Sequence, residues 1–146
     1  MENVKKATLS DGNFMVYLWF WGGLIVSFIT GWFDDLLKFF FPNENNVGYM
    51  AIMLIFNLVI LYLMVKYVVV WLRNRYEFGN TKKLLKITFE IFVVWSTVGM
   101  GLAYWGLSPL ERADPSSLIF FILEYLIELL VFYISLNKYL RIRYYK

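Results

Sequence analysis

Two carboxylates, Glu124 and Glu128, sit one helical turn apart inside FILEYLIELLVFY (121–133), a run otherwise suited to hydrocarbon. At i and i+4 they share one helix face. Two ionised carboxylates in such a medium carry a heavy desolvation cost and repel each other. At least one must therefore be protonated, or both must face water or bind a cation. Three chemistries fit: a proton or cation site in a transport path, a pocket for a basic or hydroxyl-rich headgroup, or interhelical hydrogen bonding. The last would use Asn57, Ser96, Thr97 or another subunit.

Lys66, Glu90 and Asn57 are the other polar groups well inside apolar runs. At 1.5 Å per residue, Glu128 falls near the midpoint of its run, and Glu124 about 4–6 Å to the outside, level with Asn57. Lys66 and Glu90 each fall roughly 9–10 Å toward the cytoplasmic side. Equal depths predict two groupings. Asn57, Glu124 and Glu128 form the expected substrate or proton/cation site. Lys66 and Glu90 form an intramembrane ion pair, unless Lys66 snorkels to the surface.

The elements that position these groups follow from composition. Of 146 residues, 60% are hydrophobic and only 17% charged, far from the balance of a soluble domain. One water-soluble core cannot enclose that much apolar surface, so an integral membrane protein is expected. The chain has no Cys and no His, which removes disulfides, thiol catalysis, imidazole acid–base chemistry and the common zinc, copper and haem sites. No nucleophile–base set is visible and the loops are short, so a non-enzyme is expected, with no cofactor and no nucleic-acid partner.

Four apolar stretches, about 14–33, 49–72, 86–107 and 117–137, each match a hydrocarbon layer ~30 Å thick. The first is long enough to span and is read as a retained helix, not a cleaved signal. Pro42, Pro109 and Pro115 fall in the connections, where proline belongs. Asp34, Asp35 and PNENN (42–46) close the first hairpin, and Phe39–Phe41 reads as an interfacial amphipathic segment or a simple apolar loop. Lys and Arg gather before span one, in 73–86 and after 137, and are scarce in the other two loops. The positive-inside rule then puts both termini and the central loop in the cytoplasm. The expected fold is all-α: one transmembrane domain over residues 1–146, a four-helix bundle in the inner or plasma membrane.

Gly23, Ser27 and Gly31 recur at four-residue spacing in span one, as do Gly99 with Ala103 and Thr97 with Gly101 in span three. Such small-residue faces admit a neighbouring backbone, either inside the bundle or in an oligomer.

Spans two and four end alike: VVVWLRNRYEF (68–78) and FYISLNKYLRI (132–142), shifted by one residue, overlay Asn74-Arg75-Tyr76 on Asn137-Lys138-Tyr139. Trp32 to Pro42 and Trp105 to Pro115 repeat one interval, so the two hairpins read as a parallel duplication. Four spans with Asn-basic-aromatic motifs closing spans two and four resemble the GtrA-like family of small membrane proteins. The resemblance rests on Asn74, Arg75, Tyr76 and Phe78, and on Asn137, Lys138 and Tyr139. This chain departs from the pattern at Glu77 and Arg141. It implies a role in moving polyprenyl-phosphate-linked sugars across a membrane. Arg73, Asn74, Arg75, Lys82 and Lys83 would then hold an anionic lipid or polyprenyl-phosphate headgroup at the cytoplasmic mouth, or serve orientation alone. The competing expectation is a non-catalytic accessory subunit of a larger respiratory or oxidative membrane complex. Homo-oligomers or partner subunits are expected in either case.

Overall fold

A computed structural model describes residues 6–43 and 47–141. Four helices in it are long and apolar enough to cross a membrane. The first runs unbroken from Asp11 to Phe40, as α1 (Asp11–Met15), a π-helical stretch (Val16–Trp21) and α2 (Gly22–Phe40). Next come α3 (Val47–Arg75), α4 (Thr81–Trp105), a short α5 (Pro109–Ala113) and α6 (Pro115–Arg141). Chain polarity starts these helices where capping residues stand. Ser10 accepts from the Asn13 N–H, Asn80 from Lys83, and Ser108 closes a reciprocal capping box with Glu111, each pairing amides that would otherwise be orphaned.

The all-α expectation needs one amendment. Strand β1 (Ala7–Leu9) pairs in parallel with β2 (Tyr76–Phe78), with Ala7 opposite Tyr76 and Leu9 opposite Phe78. Lys6 Nζ donates to the Arg73 carbonyl at 3.0 Å, and the Arg73 guanidinium donates to the Leu140 carbonyl. The segment before the first helix, the loop after α3 and the last turn of α6 thus meet at one end of the bundle, called the strand end below.

Phe39 and Phe40 are the last turn of α2, and the Phe41 N–H closes on the Leu37 carbonyl at 2.9 Å. No separate interfacial segment forms. Asp34 and Asp35 do not end the helix either: Asp34 pairs with Lys38 one turn on, at 2.8 Å, and accepts from the Tyr49 hydroxyl. The helix can cross these acids because the Asp34 charge is met locally and Asp35 is exposed. Of PNENN, residues 44–46 lie outside the described residues.

Helix α6 packs against both α3 and α4, and α2 against α3. The buried core gathers at the strand end. In α3 only Val65, Val69 and Leu72 are buried, and in α6 only residues from Phe132 onward. Trp19 stacks on Phe92 and Phe132, and Phe92 and Phe132 stack at 3.9 Å between centroids. Leu9, Phe14 and Leu18 complete this core from the N-terminal side. The half of the bundle away from the strands is packed far more loosely.

The small-residue ladders do not build this packing. A methyl added at Gly23, Gly31, Gly99 or Gly101 would meet nothing within 4 Å, and Ser27 and Ala103 are exposed. The close approach falls at Gly22 instead, where an added Cβ would lie 2.8 Å from the Met64 sulfur. The ladder lies wholly within α2 and turns away from α3, because four-residue spacing fixes a shared face and not the direction in which that face points.

Candidate functional site

Glu124 and Glu128 lie on the α6 stripe that continues, one turn at a time, into buried Phe132, Ser135, Leu136 and Tyr139. Both are half-buried, whereas the intervening Leu126, Ile127 and Leu130 are exposed. The carboxylates therefore face the bundle interior, in its loosely packed half. Neither makes a hydrogen bond or ion pair with any described residue.

The interhelical partners expected for them are engaged elsewhere. The Thr97 hydroxyl donates to the Val93 carbonyl at 2.7 Å and lies 2.8 Å from the Tyr125 hydroxyl, which joins α4 to α6. Ser96 is buried in α4 without bonding either carboxylate. Serine and threonine in apolar helices commonly satisfy themselves on the preceding turn, and Ser135 does so on the Val131 carbonyl at 2.5 Å. Asn57 is half-buried on α3, its carbonyl oxygen buried with no hydrogen-bond partner among the described residues. Asn57 and Glu124 thus share an estimated depth, with Glu128 one turn nearer the middle, and all three lie in the loosely packed half, but no bond joins the amide to the acids.

The Lys66–Glu90 ion pair does not form. Glu90 faces Lys86 on its own helix, 3.8 Å away, and both are largely exposed. Lys66 lies over the Tyr67 ring, 5.3 Å from its centroid. Equal depth did not make them neighbours, because α3 and α4 both pack on α6.

The basic residues expected to hold a headgroup are mostly employed in building the strand end. Arg73 bonds Leu140 and stacks on Phe78 at 5.4 Å. Arg75 lies 4.6 Å from the Trp71 centroid, and Lys83 pairs with Asp11 at 3.0 Å. Asn74 and Lys82 are exposed. The two aligned motifs also differ in form: Asn74 closes α3 and Tyr76 enters a strand, whereas Asn137 to Tyr139 stay helical within α6.

The sequence reading missed a second polar cluster, between α3 and α6. The Tyr62 and Tyr139 hydroxyls lie 2.5 Å apart, and Lys138 Nζ is 3.4 Å from the Tyr62 hydroxyl. Tyr62 and Lys66 at i and i+4 could have signalled it. Outside the spans, Ser108 holds the Glu111 carboxyl below its ordinary range by hydrogen bonds from its hydroxyl and backbone amide, and Ser116 does the same for Asp114.

Comparison with protein-family models, curated proteins and solved structures finds no match to this chain.

Proposed function

We propose that this chain is a multi-pass membrane protein that assists translocation of a polar substrate, a lipid-linked sugar or an ion, and is not an enzyme. One observation carries the reading: Glu124 and Glu128 face the bundle interior, in its loose half, with no cation or donor bonded to them among the described residues. Acids facing lipid would be snorkelling or misplaced, and acids bonded across helices would be glue. Interior acids left without partners are suited to a proton, a cation or the hydroxyls of a sugar, and Asn57 adds an unpartnered amide oxygen at similar depth. Both termini on the cytoplasmic side of an inner or plasma membrane, as the charge bias suggests, would set the strand end at the cytoplasmic mouth. The family resemblance of the Asn-basic-aromatic motifs supports a polyprenyl-phosphate-linked sugar as the substrate.

The test is Glu128→Gln and Glu124→Gln in proteoliposomes, with proton flux read by an entrapped pH dye and lipid-linked sugar translocation read by accessibility to an added lectin. Loss of either activity in the variants supports the reading. Unchanged activity in both variants eliminates the carboxylates from transport.

A second reading, an accessory subunit of a larger complex, is favoured by the open small-residue faces around Gly31, Gly99 and Ala103, which are shaped to accept helices of another chain. Native purification separates the two, since stoichiometric companions in every preparation would count against an autonomous translocator.

A further inference from the structure

The seam between α3 and α6 at the strand end carries two ammonium groups and no carboxylate. On α3, Tyr62, Lys66, Val69 and Arg73 fall on one stripe by helical geometry. Val69 is fully buried, and Arg73 reaches the Leu140 carbonyl on α6. Facing this stripe, α6 supplies Tyr139 and Lys138. Lys138 Nζ lies 5.3 Å from the Tyr139 ring centroid and 5.9 Å from that of Tyr62. Lys66 is one turn on from Tyr62. Neither Lys66 nor Lys138 forms an ion pair with any described carboxylate.

Hydrogen-bond accounting shows what is missing. Each ammonium brings three donors and each phenol one donor with acceptor capacity. The contact between the two hydroxyls uses one phenolic proton and leaves the other free. The Lys138 contact to Tyr62 uses a single ammonium proton. The cluster is therefore rich in donors and positive charge and poor in acceptors, with Lys138 exposed to whatever lies outside the helix pair. An oxyanion with several acceptor oxygens satisfies both deficits.

Depth favours an anion carried by a lipid. With 29 residues, α3 is about 43 Å long, roughly 13 Å more than a hydrocarbon layer. Lys66 lies nine residues, roughly 13 Å, before the end of α3 at Arg75. With span two ending near residue 72, Lys66 starts roughly 9 Å inside the layer at the strand end, and its long side chain, like that of exposed Lys138, can reach toward the headgroups.

We propose that Tyr62, Lys66, Lys138 and Tyr139 form a binding site for a phosphate group, carried by an anionic membrane lipid or present as free phosphate. The site lies apart from Glu124 and Glu128, and its occupation does not depend on transport.

The test places the full chain in phosphatidylcholine nanodiscs doped with phosphatidic acid and counts retained lipids by native mass spectrometry. The wild-type protein should retain phosphatidic acid at least about tenfold over phosphatidylcholine, as expected for charge-assisted hydrogen bonds. Lys66→Gln and Lys138→Gln should each cut that preference about tenfold, while Lys66→Arg keeps it and Lys82→Gln leaves it unchanged. Added inorganic phosphate tells the two sources apart: displacement of the lipid identifies free phosphate as a ligand, and retention assigns the site to the lipid. Melting curves verify that each variant is folded. Lack of preference in the wild type overturns the site, as does an undiminished preference in the folded Lys66→Gln/Lys138→Gln double variant. Should the double variant unfold, an unchanged preference in both single variants has the same meaning.

Discussion

Gly22 offers a quantitative check on how the first helix meets α3. A methyl there would lie 2.8 Å from Met64 Sδ, 3.1 Å from Met64 Cγ and 3.7 Å from a Val68 methyl, whereas at Gly31 nothing lies within 4 Å. Alanine at position 22 gains up to about 1 kcal/mol of helix propensity. Displacing the flexible Met64 thioether costs about 0.5–1.5 kcal/mol, so the two nearly cancel. Valine adds two further methyls against a filled contact, and overpacking of this kind costs about 1–3 kcal/mol. Gly31→Val carries the same change in propensity without the collision. The difference between the two valine variants therefore isolates packing, and it should be about 1–3 kcal/mol with Gly22→Val the less stable. Unfolding in detergent micelles by increasing SDS fraction, followed by tryptophan fluorescence at low protein concentration, measures it. A Gly31→Val variant as destabilised as Gly22→Val would refute the reasoning, because it would mean that the Gly23–Ser27–Gly31 face packs within the chain.

Other outcomes follow from the same packing. Phe132→Ala removes the ring stacked on both Trp19 and Phe92 and should cost about 3–5 kcal/mol, whereas Leu130→Ala on the exposed face should change stability by less than about 0.5 kcal/mol in the same assay. Ser108→Ala breaks the capping box of α5 and should speed amide exchange over residues 108–113, by the equivalent of about 1 kcal/mol. Because hydrogen bonds from Ser108 hold Glu111 below its ordinary value of 4.5, the capping contribution is full above that value. It is lost as pH falls through the lower folded-state value. Protection of wild-type α5 relative to the intrinsic exchange rate should therefore drop only in that acidic window, and protection that falls already between pH 7 and 5 would contradict the assignment.

The number and extent of the long helices were legible in the sequence, because an apolar run of about 20 residues satisfies its backbone only as a helix in lipid. The helix ends overran the apolar runs by several residues. Capping side chains and local pairs such as Asp34 with Lys38 carry a helix past the point where hydropathy fades. Relative position along each helix was legible too, since rise per residue is fixed. Thus Glu124 and Glu128 were expected on one face, and they share one. Azimuth and neighbours were not legible. Lys66 and Glu90 match in estimated depth but sit on helices that each pack on α6, and the Gly23 ladder shares a face that turns away from the neighbouring helix. The β1–β2 pairing left almost no signal, because three-residue strands have no periodicity to read.

By itself, then, the sequence determined four helices long and apolar enough to cross a membrane, and two acids on one face of the last. Local propensity, hydropathy and fixed helical rise decide those features without reference to any partner. Only the tertiary structure decided which helix meets which. It turned the acids toward a loose interior, occupied Arg73, Arg75 and Lys83 in holding the strand end together, and joined Tyr62 to Tyr139 beside Lys138, with no described carboxylate paired to Lys138 or Lys66. Those outcomes depend on how the helices rotate and pack against one another, and that is a property of side-chain shape across the whole bundle.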